Sequence, residues 1–246
     1  MASVNEVYSA LKNLANKDER GFITPKVFNT FTTIAQNKIF NDLFTETVKA
    51  QSYRRSNIDG AGDKSHLKRI QEDLAYFSKE STVSQANGVF AKPEDMSRVI
   101  SMKTHGAYVF GTSSSTVIDI VYDESKIEYI LQSDLSAPSE NHPVAILSED
   151  IEVFPTSIKK IKVKYYKYPE GRNVSTGART ALSPRYNATN LGASTEVFDP
   201  TTSVDFELPD HYVPQLIIEI GKMIGINLRD QDVFAYANGE EQKQKQ

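Results

Sequence analysis

"KVKYYKYPEGRNVSTGARTALSPRYNATNLGASTEVFDPTTSVDFELPD", residues Lys162 to Asp210, decides how the chain is divided. It opens as a regular strand, loses all periodicity for about thirty-five residues, and recovers its alternation only at Val204. Connections of that length without secondary structure are uncommon in compact domains unless they carry a function. An arm from Glu170 to Thr202 has too few apolar residues for a core of its own, so ordering it requires a surface supplied from elsewhere. The expectation is that Leu182, Tyr186, Leu191, Val197 and Phe198 anchor it across the subunits of an oligomer. Between Gly171 and Thr195 it carries Arg172, Arg179 and Arg185 and no acid, which suits an acidic neighbouring surface or DNA in a channel. The plain alternative is a solvated surface loop.

Upstream of the arm the chain reads at period 2. "STVIDIVYD" (Ser115 to Asp123), "KIEYIL" (Lys126 to Leu131), "VAILSEDIEVFP" (Val144 to Pro155) and "IKKIKVKYYKY" (Ile158 to Tyr168) are rich in β-branched and aromatic residues and separated by turn residues, so all four are predicted strands. In the last, Ile161, Val163 and Tyr165 alternate with Lys160, Lys162 and Lys164, giving one buried face and one lysine face. Lysines on a strand commonly guard a sheet edge, which predicts an edge position here.

Both ends of the chain read at period 3.6. Ser3 and Glu6 have capping-box spacing, with Val4, Val7, Tyr8, Leu11, Leu14 and Ala15 on one face behind them. Thr24 followed by Pro25 opens a second, longer helix whose apolar positions, from Val27 and Phe28 to Leu43 and Phe44, cover more than one stripe. A third starts near Ser65, with Leu67, Ile70, Leu74 and Phe77 on its face. "KAQSYRRSNIDGAGDKSHLKR" between them reads as a basic loop, and Arg54, Arg55, Lys64, Lys68 and Arg69 are candidates for contact with DNA or an acidic surface. Val204, Phe206 and Leu208 form a short returning strand. Pro209 and Asp210 then open a helix carrying Val213, Leu216, Ile217, Ile220, Met223 and Ile224 and ending at Gly225. "NLRDQDVFAYA" reads as one more short helix before a polar tail expected to be mobile.

Helices, strands, then helices predict an α+β fold. The expected division is a helical region over 1–81, an antiparallel β domain inserted over 82–207 with its arm at 169–203, and helices over 208–246 that complete a bundle with the first region.

With 28 Lys and Arg against 32 Asp and Glu, the net charge of −4 gives no global attraction to nucleic acid or anionic membrane. The absence of cysteine excludes disulfides, thiolate zinc and a cysteine nucleophile. The opening residues have no secretion-signal pattern and no segment matches a membrane span, so a cytoplasmic setting is expected. "DGAGDKS" (Asp59 to Ser65) fails both phosphate-loop templates, because the position that needs glycine is Ser65. His66, His105, His142 and His211 are scattered, "GTSSST" (Gly111 to Thr116) is a hydroxyl-rich turn, and the pairs Asp123/Glu124 and Glu149/Asp150 sit in predicted turns. No catalytic residue, metal site or cofactor is expected.

The stretch "NEVYSALKNLANKDERGFITPKVFNTFTTIAQNKIFNDLF" resembles the start of a family of virion structural proteins from tailed phages of Bacteroidetes hosts, the crAss-like group and its relatives. Ala15, Asn16, Lys17, Arg20, Gly21, Ile23, Thr24, Pro25, Phe28, Asn29, Gln36 and Phe40 carry the likeness. Two further blocks, Pro138 to Pro169 and Phe206 to Ala237, are also similar, whereas Gly106 to Ser115 departs from the pattern. The resemblance implies a non-enzymatic connector, adaptor or collar protein between portal and tail. Its subunits would form a ring of twelve around the DNA channel. It further implies a C-terminal segment docked on the portal protein, for which Leu228, Arg229, Val233, Phe234 and Tyr236 are candidates, adjacent neck or tail rings as partners, and weak non-specific contact with passing DNA. A tail appendage that binds a cell-surface glycan through an aromatic groove at Tyr165, Tyr166 and Tyr168 is the rival reading.

Overall fold

The structure, a computed structural model, describes residues 1–17, 23–56, 61–105, 107–109, 112–189 and 196–227. The chain is α+β, as the order of periodicities predicts. It divides into two compact units: Met1–Asp73 together with Pro169–Gln246, and Leu74–Tyr168 between them. The insertion therefore begins earlier than expected, at Leu74, and ends much earlier, at Tyr168, so the arm belongs to the unit that holds the helices, not to the β domain.

In the discontinuous unit, α1 (Val4–Lys17) buries Val4, Val7, Tyr8 and Leu11, while Leu14 stays exposed. α2 (Pro25–Ser56) starts where Thr24 predicts: the Thr24 hydroxyl accepts from the Val27 amide at 3.4 Å. It runs 32 residues, so Arg54 and Arg55, expected in a loop, lie in its last turns. α3 (Ala61–Ala75) carries Lys64, Lys68 and Arg69. The basic "loop" is mostly helix, because Lys, Arg, Gln and Ala are good helix formers and polarity alone does not break a helix. A 3-10 turn (Asp210–Tyr212) leads into α5 (Val213–Asn227), which contacts both α1 and α2 and buries Leu216, Ile220 and Ile224. Pro214 falls in its first turn, where no intrahelical amide is required, and the helix continues past Gly225 to Asn227.

The inserted unit contains β1 (Ser78–Ser84), β2 (Met96–Thr104), the hairpin β3 (Ala107–Val109) and β4 (Thr112–Ser114), β5 (Val117–Val121), α4 (Glu124–Gln132), β6 (Val144–Leu147), β7 (Ile151–Phe154) and β8 (Lys160–Lys167). Six of these strands form one sheet in the order β1-β8-β2-β5-β6-β7. Two expectations are corrected here. The sheet is mixed, since β5 and β6 are parallel, with Ile120 opposite Ala145. And "KIEYIL", expected as a strand, lies within α4, because parallel neighbours need a crossover. Asp123 caps that helix, its carboxylate accepting from the Ser125 amide at 3.1 Å.

Residues from both ends of the sheet share one core: Ile161, Val163 and Tyr165 of β8, Met102 of β2 and Ile118 of β5 cluster with Ala145, Ile151 and Val153. The sheet curls over its own apolar face. The lysine strand β8 is interior, between β1 and β2, so its lysines guard no edge; what the alternation gave correctly is its two faces. Among the described residues, no helix is long and apolar enough to cross a membrane.

Candidate interaction surfaces

The described residues of the arm, 169–189 and 196–203, lie against the helices of their own unit. β9 (Gly171–Asn173) pairs with β10 (Arg179–Thr180) on one side and β13 (Val204–Phe206) on the other, while β11 (Ala188–Thr189) pairs with β12 (Val197–Phe198). These strands are too short to hold a register by themselves. The arm instead hangs on a polar stripe of α2. Asn29, Thr32 and Gln36 stand at spacings of three and four, which places them on one helix face.

Asn29 acts on the arm as a strand would. Its amide nitrogen donates to the Tyr186 carbonyl at 2.9 Å, and its oxygen accepts from the Tyr186 amide at 2.7 Å. The Thr32 hydroxyl donates to the Pro184 carbonyl at 2.6 Å. Gln36 bridges two segments, donating to the Glu170 carbonyl at 3.0 Å and accepting from the Glu207 amide at 2.9 Å. Thr32 and Gln36 are fully buried, so each such bond also removes the cost of a dry polar group.

Glu207 is the second fixed point. Its buried carboxylate accepts from the Glu170 amide at 2.9 Å and meets Arg179 at 2.8 Å and Arg172 at 3.8 Å. The charge that the arm's arginines require is thus in their own chain. Arg185 is likewise engaged, with its Nε donating to the Thr202 carbonyl at 3.3 Å.

An aromatic column closes the same region. Tyr186 stacks on Tyr8 at 4.0 Å between centroids and on Phe198 at 5.4 Å, and Phe28 meets Tyr8 edge-on at 5.2 Å. Burial, reinforced by the Glu196 carboxylate, pushes the Tyr8 hydroxyl above its ordinary range. That hydroxyl donates to the Ile23 carbonyl at 3.0 Å. Lys12 reaches Glu196 at 2.6 Å, tying α1 to the arm.

Tyr186 is therefore an anchor within its own subunit, not across subunits as expected: it is buried and not available to a neighbour. Phe198 joins the same column, while Leu182 and Val197 remain exposed. Leu191 lies outside the described residues, as do Leu228, Arg229, Val233, Phe234 and Tyr236. Lys68 and Arg69 are exposed on α3; the side chains of Arg54, Arg55 and Lys64 fall outside the description. Sequence reasoning missed Asn29, Thr32, Gln36 and Glu207. The one signal in the sequence was a Glu set between Phe206 and Leu208, because Asn29, Thr32 and Gln36 are three polar positions among many in α2.

Among the described residues, no group of three or more His, Asp and Glu could hold a metal. His211 sits 3.2 Å from Asp73, which also accepts the Tyr212 hydroxyl at 2.8 Å, and this cluster joins α3 to the 3-10 turn before α5. In the inserted unit, Tyr165 faces the core and donates to Asp95 at 2.8 Å, whereas Tyr166 and Tyr168 have the opposite parity, so the three tyrosines do not line one groove. Burial works to raise the Asp95 carboxyl, and the hydrogen bonds from Lys79 and Tyr165 together outweigh it, leaving it below the usual carboxylate range.

The three most exposed large apolar side chains among the described residues lie in or beside α4: Tyr122 is 75% exposed, Tyr129 76% and Leu135 96%, while Ile127 is the helix's buried residue. Such residues in number point to a contact surface. No protein-family model matches the chain, and no curated protein matches it.

Proposed function

We propose that the chain is a structural subunit of a tailed-phage virion, one copy of a homo-oligomeric ring in the neck that joins portal to tail and surrounds the DNA channel. The observation that carries this reading is the interleaving of the chain. Helices from both ends share one unit, Met1–Asp73 with Pro169–Gln246, and a β unit, Leu74–Tyr168, is inserted between them. This is the arrangement that the order of periodicities predicts, and the likeness to virion proteins of crAss-like phages lies at both ends of the sequence and in part of its middle. The exposed apolar residues around α4 add support, because a ring subunit needs extended contact surfaces and not a pocket.

The mechanism is mechanical. Subunits associate head to tail, the closed ring docks on the portal, and the channel passes DNA by weak contacts, since a gripping surface would slow genome passage. No catalytic step belongs to it. The test is cryo-EM of purified virions with this subunit labelled. A closed ring at the portal–tail junction is the expected result. Density only at the tail periphery would replace the reading with an appendage, and absence from the particle would overturn it.

A further inference from the structure

In the inserted unit, charge is sorted along the order of the strands. Residues 74–118 and 158–168, which hold β1, β8 and β2, carry nine Lys and Arg against three acids, a formal +6. Residues 119–157, which hold α4, β6, β7 and most of β5, carry nine acids against Lys126, a formal −8. Neighbouring strands of one sheet thus form a basic half and an acidic half.

The basic half has a defined face. Lys160, Lys162 and Lys164 point away from the core that Ile161, Val163 and Tyr165 enter, and Lys103 of β2 stands directly opposite Lys162. Like charges directly opposite on paired strands destabilise a sheet. Glu80 relieves part of this, reaching Lys162 at 3.3 Å, but Lys103, Lys160 and Lys164 are exposed. The acidic half holds exposed Asp119, Glu128 and Asp134, interleaved with the exposed Tyr122, Tyr129 and Leu135. Aromatic and aliphatic anchors amid one sign of charge are the composition of a contact surface that selects an oppositely charged partner.

We infer that the lysine face of β1, β8 and β2 is the docking surface for the acidic α4 side of a second copy of this chain. The inference deepens the proposed ring and rests on it only for closure, because head-to-tail association follows from the two surfaces themselves. A second copy fits better than DNA. Each copy supplies both complementary surfaces, whereas the acidic half and a chain charge of −4 repel a polyanion. Two different surfaces make a heterologous contact, which repeats until it closes.

The test is a charge swap on the full chain, followed by sedimentation velocity from about 0.1 M to 1 M salt, over which the Debye length falls from about 10 Å to about 3 Å. One variant is Lys103→Glu with Lys160→Glu and Lys164→Glu; the other is Asp119→Lys with Glu128→Lys and Asp134→Lys. None of these residues caps a helix or enters the core, and circular dichroism and melting check that each variant folds. The expected result is self-association of the native chain that weakens with salt, a loss of roughly a hundredfold or more in each variant, and recovery when the two variants are mixed. Tyr129→Ser with Leu135→Ser should weaken association without changing its salt dependence.

Variants that associate like the native chain would overturn the inference, as would no recovery on mixing or a native chain monomeric at low salt. Loss of duplex DNA binding with unchanged self-association would overturn it in favour of a polyanion. A labelled ring in the virion with unaffected variants would sink this interface and leave the neck-ring reading standing. Association that follows the charge swap without any ring in the virion would do the reverse.

Discussion

Strand β8 and the arm that follows it are adjacent in sequence and ordered by different physics. β8 is held by alternation: Ile161, Val163 and Tyr165 enter a shared apolar core, and its register against β1 and β2 follows from that. The arm has almost no apolar face and is held by side chains of another element, Asn29, Thr32 and Gln36 of α2, which bind its backbone, and by one buried carboxylate, Glu207. Order of the first kind is written in the segment itself. Order of the second kind is written some 150 residues away, in the helix that receives it.

The contrast can be broken most forcefully at Tyr186. Tyr186→Ala removes the ring between Tyr8 and Phe198 and should cost about 3–5 kcal/mol in urea unfolding, with the arm becoming the first site of proteolysis. A truncation of β8's exposed Lys164, one turn of pleat from the core, should change stability by less than about 0.5 kcal/mol. Equal effects would remove the distinction.

Gly171→Ala comes next. A Cβ there would stand 2.1 Å from Val204 Cγ1 and 2.4 Å from the Leu182 carbonyl oxygen, so the β9–β13 pairing must open. The expected loss is about 1–3 kcal/mol, read as a lower melting temperature. Asn29→Ala should follow at about 1–2 kcal/mol, because it strands the amide and carbonyl of Tyr186. Amide exchange at Tyr186 should accelerate while exchange in β8 stays unchanged.

The smallest effect concerns pH. Hydrogen bonds from the Thr201 and Thr202 side chains and the Thr201 amide hold the exposed Asp199 carboxyl at about 2. A depressed carboxylate adds stability that is complete above its unfolded value, about 3.9, and is lost as pH falls through the folded value. An NMR titration should therefore find Asp199 still ionised at pH 3, with its turn intact; protonation near pH 4 would show that those bonds do not form.

Much of the fold was legible. The starts of α1 and α2, the face of α5, and the β6–β7 and β8 strands follow from period and capping. "KIEYIL" misled because Ile127, Tyr129 and Leu131 alternate like a strand. Tyr129 and Leu131 are in fact exposed, and the decisive signals were the Asp123 cap and the parallel pairing it serves. The lysine strand showed its faces and concealed its neighbours, since position in a sheet is a property of the partners. The aperiodic arm pointed to a surface on a neighbouring subunit, whereas its described partners belong to α2 of its own chain. It could not indicate that the surface lay in the same chain, because Asn29, Thr32 and Gln36 read as ordinary polar positions until their acceptors are known.

The most direct test is hydrogen–deuterium exchange on the monomeric protein, held apart by high salt and low concentration. Protection of the Glu170, Tyr186, Val204 and Glu207 amides in the monomer, lost at Tyr186 in Asn29→Ala, is the expected result. Exchange of these amides at unfolded rates in the monomer, with protection appearing only on assembly, would contradict the account and return the arm to the neighbouring subunit.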